Sequence, residues 1–463
     1  MADEMKLSEK LCMKKRNIFD VADGAKMDKM FAFAEQYKTF LDKAKTEREA
    51  SDEAIAAAKL YGFTEYKLGD PLKAGDKRYY NNRGKSVYFF KVGSKPLDED
   101  GIRILAAHID SPRIDLKQVP LYEDSGMAFF KTHYYGGIRK YQWVATPLAL
   151  HGVIVKKDGT RVTVALGEDD ADPIFYINDL LPHLGQEMGK KPLAEAIPGE
   201  KLNVLIGSRP YAGAEKKAIK LEALRLIYEK YGVTEEDFLS AELCVVPAAK
   251  ARDIGFDRSL IGAYGHDDRV CAFPALRAVL EANDPEATVM CVLADKEETG
   301  SEGDTGMKSA IFPDLLAEIA KALGGNPATV RANSRCLSAD VSAAYDPNFP
   351  DVFEKRNTPL LSCGVVLTKY TGSRGKSSTN DASAEYIGWL RQAMDKCGVV
   401  WQSGELGRVD CGGGGTVAKF VAGLNIQTVD LGVPVISMHA PCEAIAKVDL
   451  YEAYRAFVAF MQA

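Results

Sequence analysis

Hydrophobic positions change their period along the chain, and each change predicts a different element. From about 25 to 62 they recur at helical spacing, with Met27, Met30, Phe31, Phe33, Phe40 and Leu41 on one broad face and Lys and Glu elsewhere. That pattern predicts helix whose role is packing. Residues 101–108 read Gly-Ile-Arg-Ile-Leu-Ala-Ala-His, a short run of strand formers that ends in the polar cluster His-Ile-Asp-Ser-Pro-Arg. A buried strand delivering polar groups at its C-terminal end gives this pattern. Between about 116 and 255 the runs alternate: His151-Gly-Val-Ile-Val and Arg161-Val-Thr-Val-Ala-Leu flank Lys156-Lys-Asp-Gly-Thr, a hairpin. A polar stretch and helix-like sequence over 214–231 follow. From about 256 onward helical patterns at 272–281, 307–322, 384–396 and 447–462 alternate with apolar strands at 288–294 and 429–436.

This alternation predicts an α/β fold, a three-layer sheet with helices on both faces. Residues 1–115 and 256–463 form its discontinuous halves, and 116–255 form an inserted β-rich domain. A chain of 463 residues is long enough for two or three such domains. A net charge of −6 without a concentrated basic tract argues against nucleic acid as a partner. The N-terminal Met-Ala-Asp-Glu-Met-Lys lacks the apolar core of a signal peptide, and no apolar run approaches a bilayer span. The expectation is a cytoplasmic protein with no membrane partner. Nine cysteines are scattered singly without a CxxC pair, which predicts reduced and mostly buried thiols.

The chemistry concentrates where strands end. Asp295-Lys-Glu-Glu-Thr-Gly-Ser follows an apolar run, and neighbouring side chains at a strand end face opposite ways, so Glu297 and Glu298 can take separate roles. His108 and His439 each follow a strand-like run, and Asp110, the pair Asp267-Asp268 and Asp340 sit at comparable positions. Any one of these could be a cap or a hydrogen-bonded strand end. Together, two His, at least two Asp and a Glu meet the needs of two divalent cations sharing a bridging carboxylate. Imidazole and carboxylate without thiolate favour Zn²⁺, Co²⁺ or Mn²⁺. The remaining Glu then serves as a base toward water activated by the cations. The run Gly412-Gly-Gly-Gly415 is not a phosphate loop, because no Lys-Ser or Lys-Thr follows at the required spacing. No Gly-x-Ser-x-Gly elbow supports a serine nucleophile.

The motifs His-Ile-Asp-Ser-Pro (108–112), Asp-Asp-Arg (267–269), Glu-Glu-Thr-Gly-Ser-Glu (297–302), Ser-Ala-Asp (338–340) and Met-His-Ala (438–440) resemble, in order, those of M18 metallo-aminopeptidases, the aspartyl aminopeptidase family. The resemblance implies a hydrolase, a dizinc metalloprotease of bacterial type, that removes N-terminal residues from peptides. It implies that His108 and Asp340 bind one zinc, that Asp267 bridges, and that Glu298 and His439 bind the other. By the same matching Asp110 orients His108 and Glu297 is the general base. The family's fold is an α/β domain interrupted by a β-rich dimerisation domain, and its members assemble as tetrahedral dodecamers around an interior chamber. His183, in Leu-Leu-Pro-His-Leu, resembles a family histidine that reaches a neighbouring subunit's site.

The sequence also departs from the family. Relatives often carry Gly-Gly-Gly-x-Trp followed by Asp-Arg, where this chain has Tyr135-Gly-Gly-Ile-Arg-Lys-Tyr-Gln-Trp143 running into Ala-Thr, and His-Pro-Asn is replaced by Asp346-Pro-Asn348. Ahead of Asn380, where relatives place a cation that pairs with an acidic substrate side chain, Lys369, Arg374 and Lys376 are all available. Preference for N-terminal Asp or Glu is therefore expected, with neutral specificity as the alternative. Two other readings compete: a dimetal amidohydrolase or carboxypeptidase acting on a non-peptide amide, and a chambered scaffold with little turnover.

Overall fold

The computed structural model describes residue 7, residues 10–13 and residues 15–463; the leader reading of residues 1–6 lies outside them. The helical stretch expected from 25 to 62 is two helices, α1 (Gly24–Lys43) and α2 (Glu47–Leu60). The break has a local cause. The Thr46 side chain accepts the Glu49 N–H while the Glu49 carboxylate accepts the Thr46 N–H, a reciprocal box that starts a new helix.

Strands β1 (Ile102–His108), β2 (Thr288–Ala294), β3 (Arg335–Ser338) and β4 (Gln427–Gly432) are the four that matter for function. They run parallel, side by side in the order β2-β1-β3-β4, at the centre of a nine-stranded sheet. Ser86–Lys91 adds antiparallel beside β2 and Val365–Thr368 antiparallel beside β4. Every residue of β1 and β2 is buried. Alternate side chains enter different cores: Leu105 and Ala107 join one hydrophobic cluster, Ile104 and Ala106 another. A sheet buried on both faces accounts for the continuous apolar runs read in the sequence. The first cluster also contains residues of α1, α2, α3 (His266–Glu281) and α4 (Lys447–Met461).

A second, seven-stranded antiparallel sheet uses strands between Arg113 and Pro247, and the expected hairpin is there as Leu148–Val155 paired with Arg161–Leu166. A third sheet of five strands joins Leu260–Ala263, Glu443–Ala446 and Pro434–Ile436 to two short neighbours. The apolar stretch expected at 429–436 divides between β4 and Pro434–Ile436. Gly432 ends β4 because only glycine fits there: a Cβ would lie 1.7 Å from the Asp340 carbonyl oxygen. The cysteines are free thiols, with five buried and Cys12, Cys397, Cys411 and Cys442 exposed. Among the described residues no helix is long and apolar enough to cross a membrane.

Candidate metal centre

The C-terminal ends of the four parallel strands converge on one cavity, where ligand sites form in open α/β sheets. His108 is the last residue of β1, Glu297 and Glu298 follow β2, Asp340 follows β3, and His439 lies beyond Pro434–Ile436. Asp267 comes from the first turn of α3, where its backbone departs from helical geometry (φ −77°, ψ 106°).

Both oxygens of Asp267 are engaged. Oδ1 lies 3.1 Å from His108 Nε2, and Oδ2 lies 3.2 Å from His439 Nε2. Asp340 Oδ1 stands 4.0 Å from His108 Nε2, and Glu298 Oε2 stands 3.5 Å from His439 Nε2. Two triplets result, His108–Asp267–Asp340 and Asp267–Glu298–His439, each with its donor atoms within 4.8 Å of one another. Each imidazole turns its other nitrogen to a backbone carbonyl: His108 Nδ1 is 3.0 Å from the Asp110 oxygen, and His439 Nδ1 is 2.9 Å from the Gly137 oxygen. A carbonyl can only accept, so Nδ1 carries a proton in each ring and Nε2 is the nitrogen turned to the centre, where it would give its lone pair to a bound ion.

Asp110, fully buried, acts mainly through its carboxylate on the glutamate pair. Its oxygens accept the N–H groups of Glu297 (3.1 Å) and Glu298 (3.2 Å) and the Tyr135 hydroxyl (2.8 Å), while Oδ1 is 3.4 Å from His108 Nδ1. Sequence reading assigned it to His108 alone. Tyr135 ends the strand Met127–Tyr135 of the seven-stranded sheet, so that sheet helps build the site. Glu443 was not anticipated. It is buried, its Oε1 accepts the His439 N–H at 2.7 Å, and its Oε2 accepts the Asp267 N–H at 3.0 Å. One side chain thus ties together two segments that carry donors. Its only signal in the sequence is an acid four residues after His439.

Electrostatics suit cations. Burial pushes the Glu297 carboxyl up to about 7 and holds those of Glu298 and Asp340 well above the usual carboxylate range. For the imidazoles burial acts in the opposite sense and is outweighed by carboxylates: Asp110 and Asp267 raise His108, and Asp267 and Glu298 raise His439 to about 10. Burial also works against ionisation of Asp267, yet its two histidine contacts hold its carboxyl below the ordinary value. Glu298 Oε1 is buried with no hydrogen-bond partner. The donor set gathers more carboxylates than two imidazoles can neutralise, and imidazole–carboxylate triplets with an orphaned carboxylate oxygen fit zinc.

The cavity holds about 380 Å³ and is lined by both triplets, by Glu297, and also by Leu406, Gly413, Gly414, Gly415, Thr416, Lys419 and Phe420. Lys369, Arg374 and Lys376 do not line it. Lys369 and Lys376 both pair with Asp381, at 2.8 and 2.9 Å, and Arg374 is exposed. The three cations expected to meet the substrate thus stand outside the lining of this cavity in the single chain. His183 sits on an exposed turn away from the cavity of its own chain.

Residues 40–461 match the family model for aminopeptidase I zinc metalloproteases (M18). A relative from Clostridium acetobutylicum, named "Probable M18 family aminopeptidase 1", is 50% identical over 455 residues, covering 96% of this chain and 98% of its own. A crystal structure of an M18 family aminopeptidase from Thermotoga maritima superposes with a TM-score of 0.92 at 44% identity, covering 97% of this chain and 99% of that one. The mApe1 dodecamer of Saccharomyces cerevisiae shares the fold, with a TM-score of 0.74, 21% identity and coverage of 92% and 96%.

Proposed function

The chain belongs to the M18 family of zinc metalloprotease aminopeptidases, and from that premise we propose that it removes N-terminal residues from peptides, preferring Asp and Glu, at two zinc ions. His108 and Asp340 would hold one ion and Glu298 and His439 the other, with Asp267 offering an oxygen to each. The observation that carries this reading is Asp267, whose two carboxylate oxygens are divided between two imidazoles that both present Nε2. When bound, the ions supply Lewis-acid polarisation of the scissile carbonyl and acidify water. Glu297, half-buried in the same cavity and not needed as a ligand, takes a proton from the attacking water and delivers it to the departing amine. Asp110 fixes that glutamate by accepting its N–H, and Tyr135 fixes Asp110.

The reading extends to architecture and assembly. Residues 1–115 and 256–463 form an α/β/α catalytic domain, and 116–255 form an inserted domain through which subunits dimerise and build a tetrahedral dodecamer; the yeast relative is also a dodecamer. Support comes from the segment 174–193, which exposes Ile174, Tyr176, Leu180, Leu181, Leu184 and Leu193 around His183. Such an exposed apolar patch is characteristic of a contact surface, and a neighbour seated there would receive His183 near its own cavity.

The test is hydrolysis of amino-acyl p-nitroanilides and short peptides before and after chelation, with Zn²⁺, Co²⁺ or Mn²⁺ restored and N-acetylated peptides as control. Metal-dependent release, refused by acetylated substrates, supports the proposal. Glu297→Gln is expected to lower kcat by about 10²–10⁴-fold while leaving metal content unchanged. Loss of metal in that variant would make Glu297 a ligand instead, and absence of turnover with every metal would leave a scaffold.

A further inference from the structure

The two donor triplets are braced from different parts of the molecule. His108 and Asp340 are held by the larger sheet and its helices. The His108 N–H donates to Asp268 of α3 at 3.3 Å, its Nδ1 donates to the Asp110 carbonyl two residues on, and Asp340 is backed by Gly432 of β4. Glu298 and His439 are reached instead from the seven-stranded sheet. Its strand Met127–Tyr135 runs on into Gly136 and Gly137, which pass beside both donors.

The Gly137 carbonyl accepts from His439 Nδ1 at 2.9 Å. A Cβ on Gly137 would lie 3.3 Å from that same nitrogen, and a Cβ on Gly136 would lie 3.3 Å from the Glu298 Cβ. One residue earlier, the Tyr135 hydroxyl donates to Asp110 Oδ2, the oxygen that also accepts the Glu298 N–H. The two histidines differ in how much they need such a partner. The His108 side chain is 2% exposed and fixed by its surroundings, whereas that of His439 is 33% exposed and its ring has room to turn. Glu443 holds the His439 backbone, so the carbonyl of Gly137 is what sets the direction of the ring and of the Nε2 lone pair.

We infer that Gly136-Gly137 is the positioning segment of the Glu298–His439 ion position, so that the inserted sheet governs the affinity for one ion while the other depends on the larger sheet. The inference rests on the two-ion reading and adds an inequality between the two positions. It also gives both glycines a reason, since a side chain on either would press on a donor, and Gly136 has in addition a φ of +72°. Gly137 lies outside the left-handed region, so alanine there tests the contact with the ring without backbone strain.

The experiment withdraws zinc from wild type, Gly137→Ala and Gly136→Ala by competition with a chromophoric chelator, with zinc content per chain and the thermal unfolding midpoint measured alongside. Wild type is expected to hold two zinc ions per chain. Gly137→Ala should weaken one of them by about 10–100-fold, the usual cost of disturbing the outer partner of a ligating histidine, and leave the other unchanged with the unfolding midpoint preserved. Gly136→Ala, acting through Glu298, should weaken the same ion and lower the midpoint as well. In a His439→Ala background, which already lacks that ion, adding Gly137→Ala should not alter the affinity for the one that remains. Equal weakening of both ions in Gly137→Ala, or of neither, overturns the inference while the two-ion reading stands, and so does a further loss in the His439→Ala background. A single zinc per chain in wild type sinks the two-ion reading and this inference with it.

Discussion

Glu443 shows how much of the candidate centre depends on a residue that touches neither ion nor substrate. Its two oxygens hold the backbone N–H groups of Asp267 and His439, which lie on separate elements. Truncation would leave two N–H groups without acceptors in a buried setting, at about 1–3 kcal/mol each, and would release the backbone that positions the Asp267 carboxylate. Glu443→Ala is expected to weaken zinc binding by about 10–100-fold, the usual effect of removing an outer partner of a metal ligand. Competition with a chromophoric chelator measures this, and Glu443→Gln, which keeps one acceptor, should fall between. Wild-type zinc affinity in the alanine variant would show that the segments are held by the strands alone.

At the scale of elements, the decisive feature is that four parallel strands end in line while the connection after each differs. β1 delivers His108 directly, β2 a tight turn with Glu297 and Glu298, β3 a short extension to Asp340, and β4 a longer path to His439. The helices behind them are set by local rules, of which the Thr46–Glu49 box is the clearest. Thr46→Ala removes the side-chain acceptor at the start of α2 and is expected to destabilise the fold by about 1 kcal/mol, within the 0.5–2 range of such caps, with Thr46→Ser restoring most of it. Chemical denaturation at one pH reads the difference. A wild-type midpoint in Thr46→Ala would mean that packing of α2 on the core, through Ala50, Ala54 and Ala58, holds the helix end without its cap.

Across the whole molecule, the seven-stranded sheet meets α2 partly through buried charge. His151, on the strand Leu148–Val155, sits between Glu49 of α2 at 2.7 Å and Glu168 at 3.4 Å, and Lys45 approaches Glu168 at 3.5 Å. Burial alone would lower the His151 pKa; the two carboxylates outweigh it and raise it to about 9. A histidine with a raised folded-state pKa contributes stability in full below its unfolded value of about 6.5, and that contribution disappears as pH rises through about 9. The stability gap between wild type and His151→Asn should therefore be larger at pH 6 than at pH 9.5, by on the order of 1–3 kcal/mol. Urea unfolding at the two values measures it. A gap independent of pH would mean that His151 is neutral between its two glutamates.

Much of the site was legible because its residues follow apolar runs, and period and composition report local burial directly. His108, Glu297, Glu298, Asp340 and His439 each stand at or shortly after such a run, and Asp267 stands at a helix start; local sequence could rank them as candidates, and the α/β alternation followed from the same signal. Partnership was not legible. Asp381 taking Lys369 and Lys376, Asp110 serving the glutamate pair more than His108, Glu443 bridging two elements and Lys419 facing the cavity all depend on which strands become neighbours and how connections return. Those contacts join residues up to 188 positions apart, as Glu298 to Asp110, and a short sequence window carries no information about pairs so distant. The sequence by itself determined which groups would be buried, polar and at strand ends, because burial is a property of local pattern. Tertiary structure decided which of those groups face one another, because charge pairing and hydrogen bonding are settled only when the sheet order brings their atoms within about 3 Å.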